Sequence, residues 1–309
     1  MEEKKEWQGH RGSFFDSVNG FDVIDCEGCG FKHIVPIPTQ EELESVYRND
    51  YYSIEKPLYL ERYRGDLEWW NLVYADRYDV FEECLPQTRR RILDVGSGPG
   101  FFLLHGKERG WKPMGIEPSR QAAAHSRELG LEIIEDFLHA ETGKQLGNFD
   151  VVHLSEVLEH IPKPAEMILQ VKDLLAPDGL LCIVVPNDYN PFQLALRDAC
   201  GFHPWWVAPP HHLNYFSFDS LKGLLERCGF ETCLRETTFP IDMFLLMGDN
   251  YIGNDQLGRT CHVKRMTFEQ NLASAGLNGI KRHLYRALAA EGLGREIFMV
   301  GRKKIGDTK

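Results

Sequence analysis

The sequence lacks any long apolar run. The longest, Leu180 to Val185, falls far short of the roughly 20 residues that a membrane-spanning helix requires. Its opening stretch, MEEKKEWQ, has no apolar centre of the secretory kind. A soluble, cytoplasmic protein is therefore expected. Positive charge is scarce too: 35 Lys and Arg stand against 46 Asp and Glu, a net charge of −11. Grip on a phosphate backbone depends on clustered cations that release counterions. Arg89-Arg90-Arg91 and Arg302-Lys303-Lys304 are the only tight basic clusters, and both flank expected strands. Neither a nucleic acid nor a membrane is an expected partner. There is no repeat or low-complexity tract, and with 43% hydrophobic and 26% charged residues the chain is neither disordered nor fibrous. Eight scattered cysteines without a signal peptide read as reduced thiols rather than a disulfide framework.

What the sequence does have is a rhythm that begins near Arg91. Short apolar strand patterns at 91–95, 112–117, 131–134, 149–154 and 180–185 alternate with helical spacing at 101–109, 119–129 and 165–175. A helix over 218–228, a sixth strand over 231–239 and a last strand over 296–302 follow. This alternation predicts an α/β fold, doubly wound, in which a mostly parallel sheet is covered on both faces. Residues 1–85 read as an irregular N-terminal lid with helical spacing at 41–47 and 58–84. The main domain is expected over 86–309, with a mostly helical insertion at about 240–292 before the last strand. Residues 187–216 read as a loop-rich aromatic stretch. Ligands of such sheets sit beyond the carboxyl ends of the strands, where strand order reverses.

The densest chemistry follows the first of these strands, in Leu93-Asp-Val-Gly-Ser-Gly-Pro-Gly100. Glycines let the chain turn sharply and admit a ligand against the backbone, while the next helix offers free N–H groups. A dinucleotide fingerprint would need glycine at Phe101, and a P-loop would need Gly-Lys-Ser/Thr where Gly106-Lys107-Glu108 stands. Asp94, just before the glycines, suits a cationic ammonium better than a pyrophosphate. Glu117, about 20 residues past the first glycine, is placed to reach vicinal hydroxyls across the crevice.

Asp94-x-Gly96-x-Gly98-x-Gly100 resembles motif I of the class I S-adenosylmethionine-dependent methyltransferases. Glu117-Pro118 matches the acidic strand-two end that holds the ribose, and Asp136-Phe137 the adenine contacts after strand three. Asp150-Val-Val-His-Leu-Ser-Glu-Val-Leu-Glu-His160 matches the strand-four motif, and Leu174-Leu-Ala-Pro-Asp-Gly179 the turn before strand five. The resemblance implies a seven-stranded Rossmann-like methyltransferase fold and S-adenosylmethionine as cofactor, with S-adenosylhomocysteine as product. It implies Asp94, Gly96, Gly98, Gly100, Phe101, Glu117, Pro118, Asp136, Phe137 and Ser155 as cofactor-binding residues. Asp136 is equally compatible with a helix N-cap beside Glu135.

A sulfonium-activated methyl group needs chiefly alignment and, for a hydroxyl acceptor, a base. The candidates are His160, after strand four, and His211 and His212, after strand five; a structural role is open for each. His-His-Leu-Asn-Tyr-Phe-Ser217 resembles the His/Glu-His-x-x-Tyr-Phe-Ser stretch of methyltransferases acting on sugars and related small metabolites. A His-His pair in place of Glu-His favours O-methylation over C-methylation. Cys26-Glu-Gly-Cys29 and Tyr51-Tyr52 resemble the N-terminal region of the same group, in which two Cys-x-x-Cys knuckles hold zinc and the tyrosines fold over the cofactor. Packing against the sheet edge is an equal alternative for Tyr51 and Tyr52. One knuckle is missing, with only His10 and His33 near, so a metal-free remnant is expected. The expected function is methylation of a small-molecule hydroxyl, on a sugar or a quinol-like metabolite. A protein or RNA methyltransferase and a cofactor-binding module without catalysis are the alternatives. The acceptor pocket is expected from residues 1–85, 187–216 and 240–292, and the oligomeric state is not legible.

Overall fold

The computed structural model describes residues 4–39, 42–43, 59–144 and 146–304. Its centre is a seven-stranded sheet: β5 (Arg91–Val95), β6 (Lys112–Ile116), β7 (Glu132–Ile134), β8 (Phe149–Ser155), β9 (Leu175–Pro186), β11 (Phe230–Thr237) and β12 (Glu296–Lys303). The order is β11-β12-β9-β8-β5-β6-β7. β5 through β9 run parallel, while β12 is antiparallel to both β9 and β11. After β7 the chain returns to the opposite side of β5, so strand order reverses between β5 and β8 and opens a crevice there.

The helices alternate with the strands as the periodicity requires. In chain order they are α1 (Tyr59–Gly65), α2 (Leu67–Cys84), α3 (Phe101–Glu108), α4 (Arg120–Glu128), α5 (Ala140–Lys144), α6 (Pro164–Leu174), α7 (Pro191–Cys200), α8 (Phe218–Arg227), α9 (Asp242–Leu246), α10 (Asp255–Ser274) and α11 (Asn278–Ala290). Buried on both faces, the central strands alternate between two cores. Leu93, Val95, Val152 and Leu154 face a core completed by Ile168 and Val171 of α6. Ile92, Val151, Cys182 and Val184 face the other, with Tyr78 and Phe81 of α2 and Phe102 of α3. The same two-residue period sends Asp94 and His153 into this second, apolar face, where polar groups are out of place.

Two regions differ from the sequence reading. Residues 4–35 are not irregular: β1 (Lys4–Trp7), β2 (His10–Val18), β3 (Phe21–Cys26) and β4 (Lys32–Val35) form an antiparallel meander. Asn19 and Gly20, both at positive φ, turn β2 into β3 as a two-residue hairpin requires. Residues 187–216 are not all loop. Asn190 caps α7, accepting from the Phe192 and Gln193 amides, and Asn214–Tyr215 form β10, the fifth strand of the N-terminal sheet. Within the 240–292 insertion, α10 and α11 brace α2: Arg259 pairs with Asp66 at 2.6 Å, Lys281 with Asp76 at 2.6 Å, and Trp69 donates to Glu269. Among the described residues no helix is long and apolar enough to cross a membrane.

Candidate active site

A cleft opens at the carboxyl ends of β5, β6, β7 and β8. It brings together Asp94, Gly96, Gly98, Phe101, Glu117, Pro118, Asp136, Phe137, Ser155 and His160 of the expected site residues. Gly100 does not line it. Gly100 has φ +83°, and a Cβ there would fall 2.6 Å from Ser126 Oγ and 2.7 Å from Leu131 Cδ1. Its bareness serves the turn and the seating of α3 against α4. Tyr51 and Tyr52 lie outside the described residues.

Glu117 is 4% exposed and ties the glycine turn to the start of α4. Its Oε2 accepts from Gly98 N at 2.7 Å and its Oε1 from Ser119 N at 2.8 Å. Burial pushes its carboxyl up to about 7, against the pull of these two amides, and the nearby Asp94 charge adds to the rise. Each oxygen has a lone pair left over, which suits a pair of vicinal hydroxyls. Asp136 and its neighbour part ways: Glu135 pairs with Arg127 at 2.8 Å on the surface, while Asp136 faces the cleft. The next helix, α5, starts only at Ala140, so Asp136 is not its N-cap.

Asp94 and His153 stand opposite each other on adjacent parallel strands. His153 Nδ1 donates to Asp94 Oδ1 at 2.7 Å, and Arg77 donates to His153 Nε2 at 3.2 Å and to Ser155 Oγ at 3.3 Å. Burial holds the His153 pKa below the ordinary imidazole value, with Asp94 opposing, which fits a neutral ring that donates on one side and accepts on the other. A carboxylate so aimed and a guanidinium beside it match the ammonium and carboxylate of an amino-acid moiety. Arg77 and His153 were absent from the expected set although both left a signal. Arg77 sits among Tyr74, Tyr78 and Phe81 on the apolar face of α2, and His153 interrupts the apolar run Val151-Val152-Leu154. Aromatic rings complete the wall: Phe101 stacks on Tyr63 at 5.2 Å, and Tyr63 on Trp70 at 4.7 Å.

The three candidate histidines meet but are not equivalent. His160 ends a short 3-10 turn, Leu158–His160, and lines the cleft. Its Nδ1 lies 2.7 Å from the His211 carbonyl oxygen, so it carries the proton and donates, leaving Nε2 as the accepting nitrogen. His211 therefore contributes its backbone to this contact, and the His212 ring packs edge-on against His160 at 5.0 Å. Glu159, 1% exposed, approaches His160 Nε2 to 3.6 Å; burial and the charge of Glu156 hold its carboxyl well above the usual range. The Leu213 amide donates to the Glu159 carbonyl at 2.7 Å, and the Asn214 side chain donates to the Leu158 and Ile161 carbonyls, which fixes the turn. No residue of 187–216 or 240–292 lines this cleft: the first supports His160 from behind and the second braces α2.

Residues 68–234 match the family model described as a methyltransferase domain. The ubiquinone biosynthesis O-methyltransferase of Actinobacillus pleuropneumoniae serotype 5b is 38% identical over 102 residues, covering 30% of this chain and 44% of that protein. C-methyltransferase NovU of Streptomyces niveus is 30% identical over 142 residues, covering 45% of this chain and 32% of its own length. The chain thus spans less than half of each of these curated relatives. Among solved structures, a SAM-dependent methyltransferase from Archaeoglobus fulgidus superposes with a TM-score of 0.51 at 20% identity, over 82% of this chain and 100% of that one. Magnesium protoporphyrin IX methyltransferase from Synechocystis PCC 6803, solved with bound SAH, gives 0.52 at 10% identity, over 86% and 100%. These two likenesses bear on the fold.

Proposed function

Since the chain belongs to the class I S-adenosylmethionine-dependent methyltransferase family, we propose that it methylates a hydroxyl of a small molecule, a sugar or a quinol-like metabolite, with His160 as general base. The cofactor supplies a methyl group already activated by its sulfonium. The chain's part is to hold the cofactor at both ends, through Asp94 and Arg77 on one side and Glu117 and Asp136 on the other, and to take a proton from the acceptor. Orientation carries most of the acceleration, and a positioned base adds roughly 10²–10⁴-fold.

The observation that carries this reading is the tautomer of His160. With Nδ1 committed to the His211 carbonyl, Nε2 is the nitrogen that takes a proton, and the ring shares one cleft with Asp94 and Glu117. From the N-terminal part of the chain, Tyr63, Trp70 and Tyr74 wall this cleft. The net charge of −11 disfavours a polyanionic acceptor, which supports a small neutral one over RNA.

The test pairs binding with turnover. Calorimetry is expected to show S-adenosylmethionine binding and none for NAD. A panel of catechols, quinols and nucleotide-linked sugars is then screened for S-adenosylhomocysteine formation. His160→Ala is expected to lower turnover at least tenfold with cofactor affinity unchanged. Wild-type turnover in that variant removes the base from the proposal, and a failure to bind the cofactor removes the whole reading.

A further inference from the structure

The turn between β3 and β4 carries Cys26-Glu-Gly-Cys29. The fold brings the missing donors to it from elsewhere. His10 opens β2 and His33 lies on β4, and ligand atoms of His10, Cys26, Cys29 and His33 all lie within 4.8 Å of one another. His10 Nδ1 is 3.4 Å from Cys29 Sγ and 3.8 Å from Cys26 Sγ, and the two imidazole rings are 4.8 Å apart. A tetrahedral zinc with ordinary Zn–S and Zn–N bonds has ligand–ligand edges of about 3.3–3.8 Å, close to these separations.

A second observation points the same way. His33 is 1% exposed, and its Nδ1 donates to the Ile34 carbonyl oxygen at 2.9 Å. That bond fixes the tautomer and leaves Nε2 as a bare lone pair, and Nε2 is buried without a hydrogen-bond partner. An imidazole locked by a carbonyl on one nitrogen and left unsatisfied on the other is the arrangement of a metal ligand with its outer shell already in place. The knuckle is built to match: Gly30, at φ +74°, donates to the Cys26 carbonyl at 2.8 Å, and Arg227 of α8 donates to the Cys29 carbonyl at 2.6 Å.

We propose that His10, Cys26, Cys29 and His33 bind one structural zinc ion in a closed Cys2His2 site. Two histidines drawn from neighbouring strands take the place of the absent knuckle. With four protein ligands no position is left for substrate, so the ion cross-links β2, the β3–β4 turn and β4. β4 in turn pairs with β10, His33 opposite Asn214, and Asn214 holds the turn that carries His160. The metal therefore stiffens the acceptor side of the cleft from a distance.

The full chain, purified without chelator and under reducing conditions, is expected to carry about one zinc per molecule by elemental analysis. Cobalt exchange is expected to give the visible bands of a tetrahedral ion with a thiolate charge-transfer band. Chelation is expected to lower Tm by about 5 °C or more, and to speed hydrogen exchange at the Ile34 and Leu213 amides. Cys29→Ser is expected to lose the metal. His10→Cys keeps it and strengthens the thiolate band, which separates loss of a ligand from loss of the fold. Wild-type protein that holds no zinc, even after incubation with zinc, overturns the proposal. So does a metal content that Cys29→Ser and His33→Ala leave unchanged.

Discussion

The cofactor side of the cleft and its acceptor side are put together in different ways. Asp94, Gly98 and Glu117 lie within one βαβ segment, and each contact between them spans fewer than about thirty residues of a local motif. His160, by contrast, is held by the His211 carbonyl and by Asn214, some fifty residues on, and that loop is itself tied to β4 near the start of the chain. The glycine turn with Glu117 is a local motif, to which His153 joins Asp94 from 59 residues on. The acceptor side is a meeting of distant segments, free to vary with the acceptor while the cofactor grip stays fixed.

Substitutions can break this contrast, the largest effect coming first. Asp94→Ala removes a buried carboxylate and strands His153; cofactor affinity measured by calorimetry is expected to fall about 100-fold or more, ~3 kcal/mol. His160→Ala is expected to cost 10- to 1000-fold in turnover at constant cofactor affinity, a separation that Asp94→Ala does not show. Glu117 gives a pH handle. Its folded pKa of about 7 lies above the ordinary 4.5, so the folded, ligand-free protein binds this proton more tightly than the unfolded chain. Its contribution to stability is full below about 4.5 and is lost as pH rises through about 7. Cofactor affinity runs the other way, strengthening as the carboxylate ionises, and Glu117→Gln is expected to flatten both profiles in calorimetry and thermal melts. Gly100→Ala meets Ser126 and Leu131 at positive φ and is expected to cost about 1–3 kcal/mol of stability in a denaturant melt. His211→Ala, which keeps the carbonyl, is expected to change turnover by less than about threefold. A larger loss would place that imidazole in the chemistry.

The same contrast governs what could be read in advance. The parallel sheet, the glycine turn and Glu117 were legible because their signals are local: unbroken apolar strands, a strand–turn–helix junction and a fixed spacing. Arg77 and His153 were legible in principle, each a polar residue inside an apolar pattern, but their meaning appears only when α2 lies across β5 and β8. The meander over 4–35 was missed although Val18-Asn19-Gly20-Phe21 is a hairpin signature; the crowding of Tyr, Trp and charged residues nearby obscured its alternation. The unequal placements of His160, His211 and His212 could not be read from adjacency, because which atom of a residue meets a neighbour depends on backbone direction.

β10 is two residues long, yet it closes a sheet whose other four strands lie at the start of the chain. Tyr215 pairs with Lys32, roughly 180 residues away, a closure that is slow to find. Until β10 is in place, the edge of β4 lies open. An open edge is a template for pairing with other chains. Lys32 on that edge, already paired with Asp25 across the hairpin at 3.1 Å, supplies the charge that discourages such pairing in the interval. The turn that carries His160 is thus complete only when residues 213–215 reach back to β4.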